Sequence, residues 1–401
     1  MDQVYTNTLN LLAETLRTDK SQQLFPSGQI HKTAFKSFSE EDWRQIYHEC
    51  MLHGILLLVF GQIQRFCRTE DIIRKWQMNA MRQFAHGIKL LEEQKELLTL
   101  LEGFHPVIIK GAATAVYYPV AESRQMGDID LVVLGTDVES CKDILGKQGY
   151  ILGEENRRHI SFYKNGILVE LHRRNPYTVK QTAWYDRMDY VVTKADKTKE
   201  VSISGYKIPV FEDAYNGLII LTHLLHHMAG GIGLRQLIDW RMYAENYLTD
   251  ENWYNTFRLL VEELDIVVFT KVVTRTCQLY LGLRDDITWC QDIDMEACGQ
   301  LIQFVMERGN FGNKMNFNNQ SMDVLVRSSG IKNFVVNLQR QGTYNWKVLK
   351  KCPWLKPFAW FYQGIRYIRR GYEQKISFKD LKRERVLKRE MDALFQKMGL
   401  E

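Results

Sequence analysis

Two aspartates one residue apart, Asp128 and Asp130, head a short apolar run (131–134) bounded by Gly127 and Gly135. The run is β-branched and brief, which predicts a buried strand. Side chains alternate across a strand, so both acids share one face. Two carboxylates aimed the same way repel unless a cation lies between them, and hard oxygen donors at this spacing suit Mg²⁺ or Mn²⁺. Farther on, Ile-Leu-Val-Glu-Leu-His (167–172) is a second apolar run broken by one acid. A buried mid-strand glutamate needs a partner. Glu170 is therefore the candidate third metal ligand, with an ion pair to Arg173 or Arg124 as the alternative. His172 shares its strand face and is either a proton carrier or ligand-orienting group, or a histidine satisfied at a strand end.

Upstream, Val107-Ile108-Ile109 reads as a strand that ends in Lys110-Gly111, and Ala-Ala-Thr-Ala-Val-Tyr-Tyr after it favours a helix. A strand, a small-residue turn and a helix start bring free backbone N–H groups and the helix dipole to one place, a cradle for phosphate. Lys110 would add a point charge to that cradle. Arg124 precedes Asp128 by four residues, within reach of a triphosphate over the metals. Bridging surface acids such as Glu122 is its other reading.

The ordered set Ile109-Lys110-Gly111-Ala112, Arg124-Gln125-Met126-Gly127-Asp128-Ile129-Asp130-Leu131-Val132-Val133 and Val169-Glu170-Leu171-His172 resembles the uncharacterised nucleotidyltransferase family of the DNA polymerase beta superfamily. The likeness is strongest over 105–175 and looser through the helices to about residue 330. Lys-Gly-Ala stands where the wider superfamily usually has Gly-Ser. The resemblance implies an α+β fold, a small mixed-sheet catalytic core flanked by N-terminal and C-terminal helical regions. It also implies an enzyme that transfers a nucleoside monophosphate from an NTP such as ATP to an acceptor, with release of pyrophosphate. Asp128, Asp130 and Glu170 would be the catalytic metal ligands, holding Mg²⁺ or Mn²⁺. Lys110, Gly111 and Arg124 would contact phosphate. His223, Arg235 and Asp239 lie on helices that resemble those facing the cleft in family members, where polar groups orient ribose, base or acceptor. An i,i+4 pair between Arg235 and Asp239 explains two of these without a ligand. A degenerate fold that binds nucleotide without turnover, or a nucleic-acid-binding protein, is the alternative.

The elements around this site divide the 401 residues into four expected parts. Residues 1–103 read as helical (3–17, 40–66, 71–102), with Ser39 and Thr69 as N-caps before acidic first turns. Residues 104–211 form the catalytic core, with strands at 107–110, 129–134, 150–153, 159–164 and 166–172 and helices at 111–118 and 136–148. Thr136 with Glu139 caps the second helix, and Lys164-Asn165-Gly166 makes a hairpin turn. The connection 175–200 is poorly patterned, and 206–211 is strand-like. Residues 212–345 make a helical lobe that closes the cleft, with helices at 213–228, 234–240, 251–264, 266–281 and 294–308. Residues 346–401 form a basic, aromatic helical segment.

Within that segment, 347–389 carries fourteen Lys or Arg against three acids, with tryptophan, phenylalanine and tyrosine interleaved. Such a stretch suits an anionic membrane surface or a nucleic-acid backbone. Its plainer reading is a solvated helix pair whose aromatics pack on the helical lobe. A net charge of +5 implies no nucleic-acid partner by itself. Seven cysteines show no C-x-x-C spacing, which argues against a zinc site or disulfide framework. No apolar run reaches membrane-spanning length and the first residues lack a signal-peptide pattern, so a cytoplasmic place is expected.

Overall fold

In a computed structural model, the described residues are 2–16, 34–135, 138–156, 158–174, 183–228, 230–314, 330–373 and 389–400. Seven strands form one mixed sheet: β1 (Pro106–Ile109), β2 (Asp128–Val133), β3 (Ile151–Glu155), β4 (His159–Lys164), β5 (Ile167–His172), β6 (Thr198–Ile203) and β7 (Tyr206–Phe211). Their order is β3-β4-β5-β2-β1-β7-β6. The β2–β5 and β1–β7 pairs are parallel and the others antiparallel.

The helices are α1 (Gln3–Leu16), α2 (Glu40–His53), α3 (Phe60–Phe66), α4 (Glu70–Leu100), α5 (Gly111–Ala115), α6 (Val138–Lys147), α7 (Arg187–Lys194), α8 (Asp213–His227) and α9 (Leu234–Tyr247). They continue with α10 (Asp250–Asn252), α11 (Arg258–Glu263), α12 (Val267–Leu281), α13 (Met295–Arg308), α14 (Gly330–Asn345) and α15 (Ala359–Glu373), and a further helix covers 389–397. Among the described residues no helix is long and apolar enough to cross a membrane.

The strict alternation of β2 and β5 gives the sheet two unlike faces. Ile129, Leu131, Val133, Val169 and Leu171 point one way and pack with Leu90, Leu91 and Leu97 of α4 and with Cys141 and Leu145 of α6. Burying a side chain of this size stabilises by roughly 1.5–3 kcal/mol, so α4 is held by its leucine stripe. On the other face Val107, Ile109 and Val132 join a larger core that includes α1, α2, α8, α9, α12 and α13. Asp128, Asp130, Glu170 and His172 share this second face with Val132.

Three expectations are corrected. The helix expected over 40–66 is broken, because Gly54 takes a left-handed φ of 67° and its N–H bonds Cys50 O and Met51 O, ending α2. The Leu56 carbonyl freed in that break accepts the Trp76 indole N–H at 2.9 Å. The connection expected over 175–200 contains α7 and β6. Strand β6, Thr-Lys-Glu-Val-Ser-Ile, is an edge strand with one face exposed, so its apolar signal is thin. Ser204 (φ 49°) and Gly205 (φ 80°) turn it into β7, as a two-residue hairpin requires. Finally, Trp354, Trp360 and Phe361 of the C-terminal segment do not pack inward, being 71%, 43% and 57% exposed, whereas Phe395 does pack, edge-on against Trp184. The Ser39 cap is present and is reciprocated by Asp42, whereas Thr69 makes no side-chain cap bond. Thr136 lies outside the described residues. All seven cysteines are free, and six of them are buried.

Candidate active site

Parallel pairing of β2 with β5 sets Asp130 directly beside Glu170 and Val132 beside His172. Alternation then gives Asp128, Asp130, Glu170 and His172 a common side. One oxygen from each of Asp128, Asp130 and Glu170 lies within 4.8 Å of the others. Three carboxylates gathered so closely are the donor set of a hard divalent cation.

Antiparallel β1 ends with Ile109 opposite Asp130, so the next residue, Lys110, stands at the cluster. Lys110 has φ 56° and ψ −145°, a conformation costly for a residue with a side chain, by about 1–3 kcal/mol. Its Nζ lies 2.6 Å from Asp130 Oδ1. His172 Nε2 is 2.8 Å from the same oxygen and 3.6 Å from Glu170 Oε2. A buried charge with one partner removed costs several kcal/mol, so these contacts are mutually dependent.

The electrostatics follow from the crowding. The Asp130 carboxylate, then burial, pushes the Asp128 carboxyl up to about 6. Burial raises Asp130 too, but Lys110 and His172 outweigh it and hold that carboxyl below the usual range. Burial works against the Lys110 charge, yet Asp130, Asp128 and Glu170 together raise its pKa. Burial and Lys110 depress His172, and its bonds to Asp130 and Glu170 more than compensate. One acid of the pair is thus held ionised while the other stays poised to titrate, a state a bound cation would relieve.

The residues expected to face a cleft divide. Burial holds His223 of α8 well below its usual pKa, with His227 and Lys110 adding to it. His223 Nε2 sits 3.0 Å from His227 Nε2. Arg235 of α9 is depressed by burial, and its charge lowers Asp128. Its Nη1 donates to Gln125 O at 3.2 Å. Arg124 is buried and donates to both Asp239 oxygens, at 2.7 and 2.8 Å. The Tyr118 hydroxyl donates to Asp239 Oδ1 at 2.7 Å. The structure commits Arg124 and Asp239 to each other, tying the residues before β2 to α9. The start of α9 is itself fixed, since Leu234 N–H donates to buried His53 Nδ1 at 3.2 Å.

His159 was missed in the sequence. It pairs with His172 across β4 and β5, and its Nε2 lies 3.5 Å from Glu170 Oε1. Asn165 and Gly166 form a two-residue turn with φ 53° and 78°. That turn puts 164 opposite 167, so counting back places 159 opposite 172. The signal was present in the hairpin register.

Residues 39–282 match a family described as an uncharacterised nucleotidyltransferase. Comparison with curated proteins gave no match. Among solved structures, the chain is similar to an antigenic nucleotidyltransferase-like protein from Paracoccidioides brasiliensis. The identity is 17% over 49% of this chain and 93% of that one, with a TM-score of 0.32, too loose a superposition to bear on the argument. The matched span is more than half of the chain and contains every strand and each candidate site residue, and the chain belongs to this uncharacterised nucleotidyltransferase family.

Proposed function

We propose that the chain transfers a nucleoside monophosphate from an NTP to an acceptor hydroxyl, releasing pyrophosphate. The observation that carries the reading is the convergence of Asp128, Asp130 and Glu170 on one side of the sheet beside Lys110. The acceptor oxygen bonds to the α-phosphorus as the bond to the bridging oxygen breaks, and the hydroxyl proton is lost. Mg²⁺ or Mn²⁺ held by the three carboxylates would polarise the phosphate and lower the pKa of the attacking hydroxyl. Lys110 neutralises charge on the phosphates, and the backbone N–H groups after Gly111 orient them. Glu170 helps take the proton, and His172 keeps Asp130 ionised and fixed. Arg235 faces the same charge from α9, and His223 orients ribose, base or acceptor. Arg124 and Asp239 act as a positioning pair that holds the helical lobe over the cleft.

The test is incubation of the chain with each α-labelled NTP, Mg²⁺ or Mn²⁺ and cell extract. Metal-dependent labelling of one fraction, lost in Asp130→Asn, supports transfer. Saturable NTP binding with no label and no pyrophosphate under any of these conditions would favour the binding-only alternative.

For 346–373 the surface favours a lipid partner over a nucleic acid. Phe358, Trp360, Phe361, Ile365 and Ile368 are exposed, while the α14–α15 contact is made by amides: Gln363 is buried and meets Asn345 at 3.1 Å. Aliphatic side chains contribute nothing to phosphate contacts but insert readily at a bilayer surface, and Lys351 and Lys356 nearby suit anionic headgroups. Sedimentation with phosphatidylserine vesicles, and not with neutral vesicles or RNA, is the expected result. Binding to RNA alone would overturn the lipid assignment.

A further inference from the structure

We infer that His159, Glu170 and His172 form a second cation seat, rich in nitrogen, that shares Glu170 with the all-oxygen seat of Asp128 and Asp130. The ligand atoms of the three lie within 4.8 Å of one another. Two of the separations are informative: His159 Nε2 to Glu170 Oε1 is 3.5 Å, and His172 Nε2 to Glu170 Oε2 is 3.6 Å. A tetrahedral ion with bonds of about 2.0–2.2 Å has ligands roughly 3.3–3.6 Å apart. The cluster therefore needs little movement to close on such an ion. Each Glu170 oxygen faces a different histidine, so the whole carboxylate edge is turned toward this seat.

The tautomer of His159 supports ligation. Asn156 Oδ1 accepts two backbone N–H bonds, from Arg158 at 2.8 Å and His159 at 3.0 Å. That fixes the amide so that its Nδ2 is the end facing His159 Nε2, 3.1 Å away. An amide N–H donates, so Nε2 is the unprotonated ring nitrogen, and a cation bound there would replace the Asn156 contact. At His172 the Nε2 proton shared with Asp130 leaves to solvent when a metal takes its place.

The two seats differ in hardness. Three carboxylates suit Mg²⁺ or Mn²⁺, while two imidazoles and one carboxylate suit Zn²⁺ or Co²⁺. The seat goes beyond the transfer reading and does not depend on turnover, since the test reads the metal itself. Full-length, tag-free, metal-free chain is titrated with Co²⁺ and its visible absorption recorded. The expected result is the intense band of low-coordinate, nitrogen-ligated Co²⁺, retained in Asp128→Asn. His159→Gln weakens that binding by roughly 10–100-fold or more, with circular dichroism confirming the fold. The pair His223 and His227 lies close by, so His227→Gln is the control and keeps the band. Pulsed EPR on one equivalent of Cu²⁺ bound to the unaltered chain needs no variant, and coupling to imidazole nitrogen is expected. Only the faint spectrum of oxygen-ligated, six-coordinate Co²⁺, no nitrogen coupling, or loss of the band in His227→Gln but not His159→Gln would overturn the assignment. Failure of the NTP assay alone would leave the seat standing and remove only the transfer reading.

Discussion

The carboxylate end of the sheet and the C-terminal helical hairpin are both crowded with charge, but they are built in opposite senses. At the sheet, polar groups are drawn into a largely buried cluster: Asp130 is 2% exposed and is contacted by both Lys110 and His172. In the hairpin the polar groups also lie inside, at the α14–α15 contact, where the Trp360 N–H meets Gln339 Oε1 at 3.0 Å. Gly342 allows that close crossing, since a Cβ there would collide with the Ala359 backbone. The large apolar side chains of α15 are left outside, with Ile368 75% exposed. Strand register enforces the first arrangement, and an amphipathic helix with its apolar side outward produces the second. Buried charge that is paired and fixed is suited to chemistry on a charged substrate. Exposed apolar surface beside cations is suited to docking.

If that contrast is right, substitutions at the two regions have separable effects. Asp130→Asn removes both a ligand and the partner of Lys110 and His172, and transfer should fall by about 10³-fold or more in single-turnover assays. Vesicle binding should be unchanged. Arg124→Met leaves Asp239 buried with its guanidinium gone. A denaturant titration should show about 3–5 kcal/mol lost, while the double variant Arg124→Met with Asp239→Leu should recover much of it. A loss under 1 kcal/mol in the single variant would mean that the tie between the motif and α9 is weak.

In the hairpin, Phe358→Ser, Ile365→Ser and Ile368→Ser together should weaken binding to anionic vesicles by about 10³-fold or more, since each buried apolar side chain is worth roughly 1.5–3 kcal/mol at an interface. Nucleotide turnover without lipid should stay within about twofold. Equal loss of both would join the two regions that the comparison separates.

The smallest effect concerns Asp128, and its sign is worked from the shift. Its carboxyl is held near 6 in the fold against a usual 3.8, so the folded chain binds that proton more tightly than the unfolded one. This contribution to stability is fully present below about pH 4 and is lost as pH rises through 6. Asp128→Asn should therefore melt later than the wild type at pH 8, by about 1–3 kcal/mol, and together with it near pH 4. Saturating Mg²⁺ should reverse the order at pH 8 by stabilising only the wild type. A difference that does not change with pH would mean the two carboxylates are not coupled.

Much of the sheet site was legible because short strands obey a period of two. Asp128, Asp130 and Glu170 follow from alternation and from apolar flanks that are hard to explain otherwise. The partner of Lys110 was not legible, because it depends on a strained backbone at the end of β1 that no periodicity announces. Arg124 with Asp239 was equally hidden, being a contact across more than a hundred residues, and sequence offered only the nearer Arg235 as a partner. His159 could have been read from the hairpin register. The sequence left the hairpin aromatics open between two readings because an aromatic stripe looks the same whether it packs on its own protein or faces outward. The difference lies in tertiary contact alone.

The central claim is that three carboxylates close on one metal–nucleotide site. The most direct measurement is a crystal structure with Mn²⁺ and a non-hydrolysable NTP, with anomalous scattering used to find the ion. The account predicts Mn²⁺ bound by Asp128, Asp130 and Glu170 at roughly 2.0–2.3 Å, with the triphosphate beside Lys110. Nucleotide bound elsewhere, or an ion that leaves Asp128 and Asp130 uncoordinated, would contradict it.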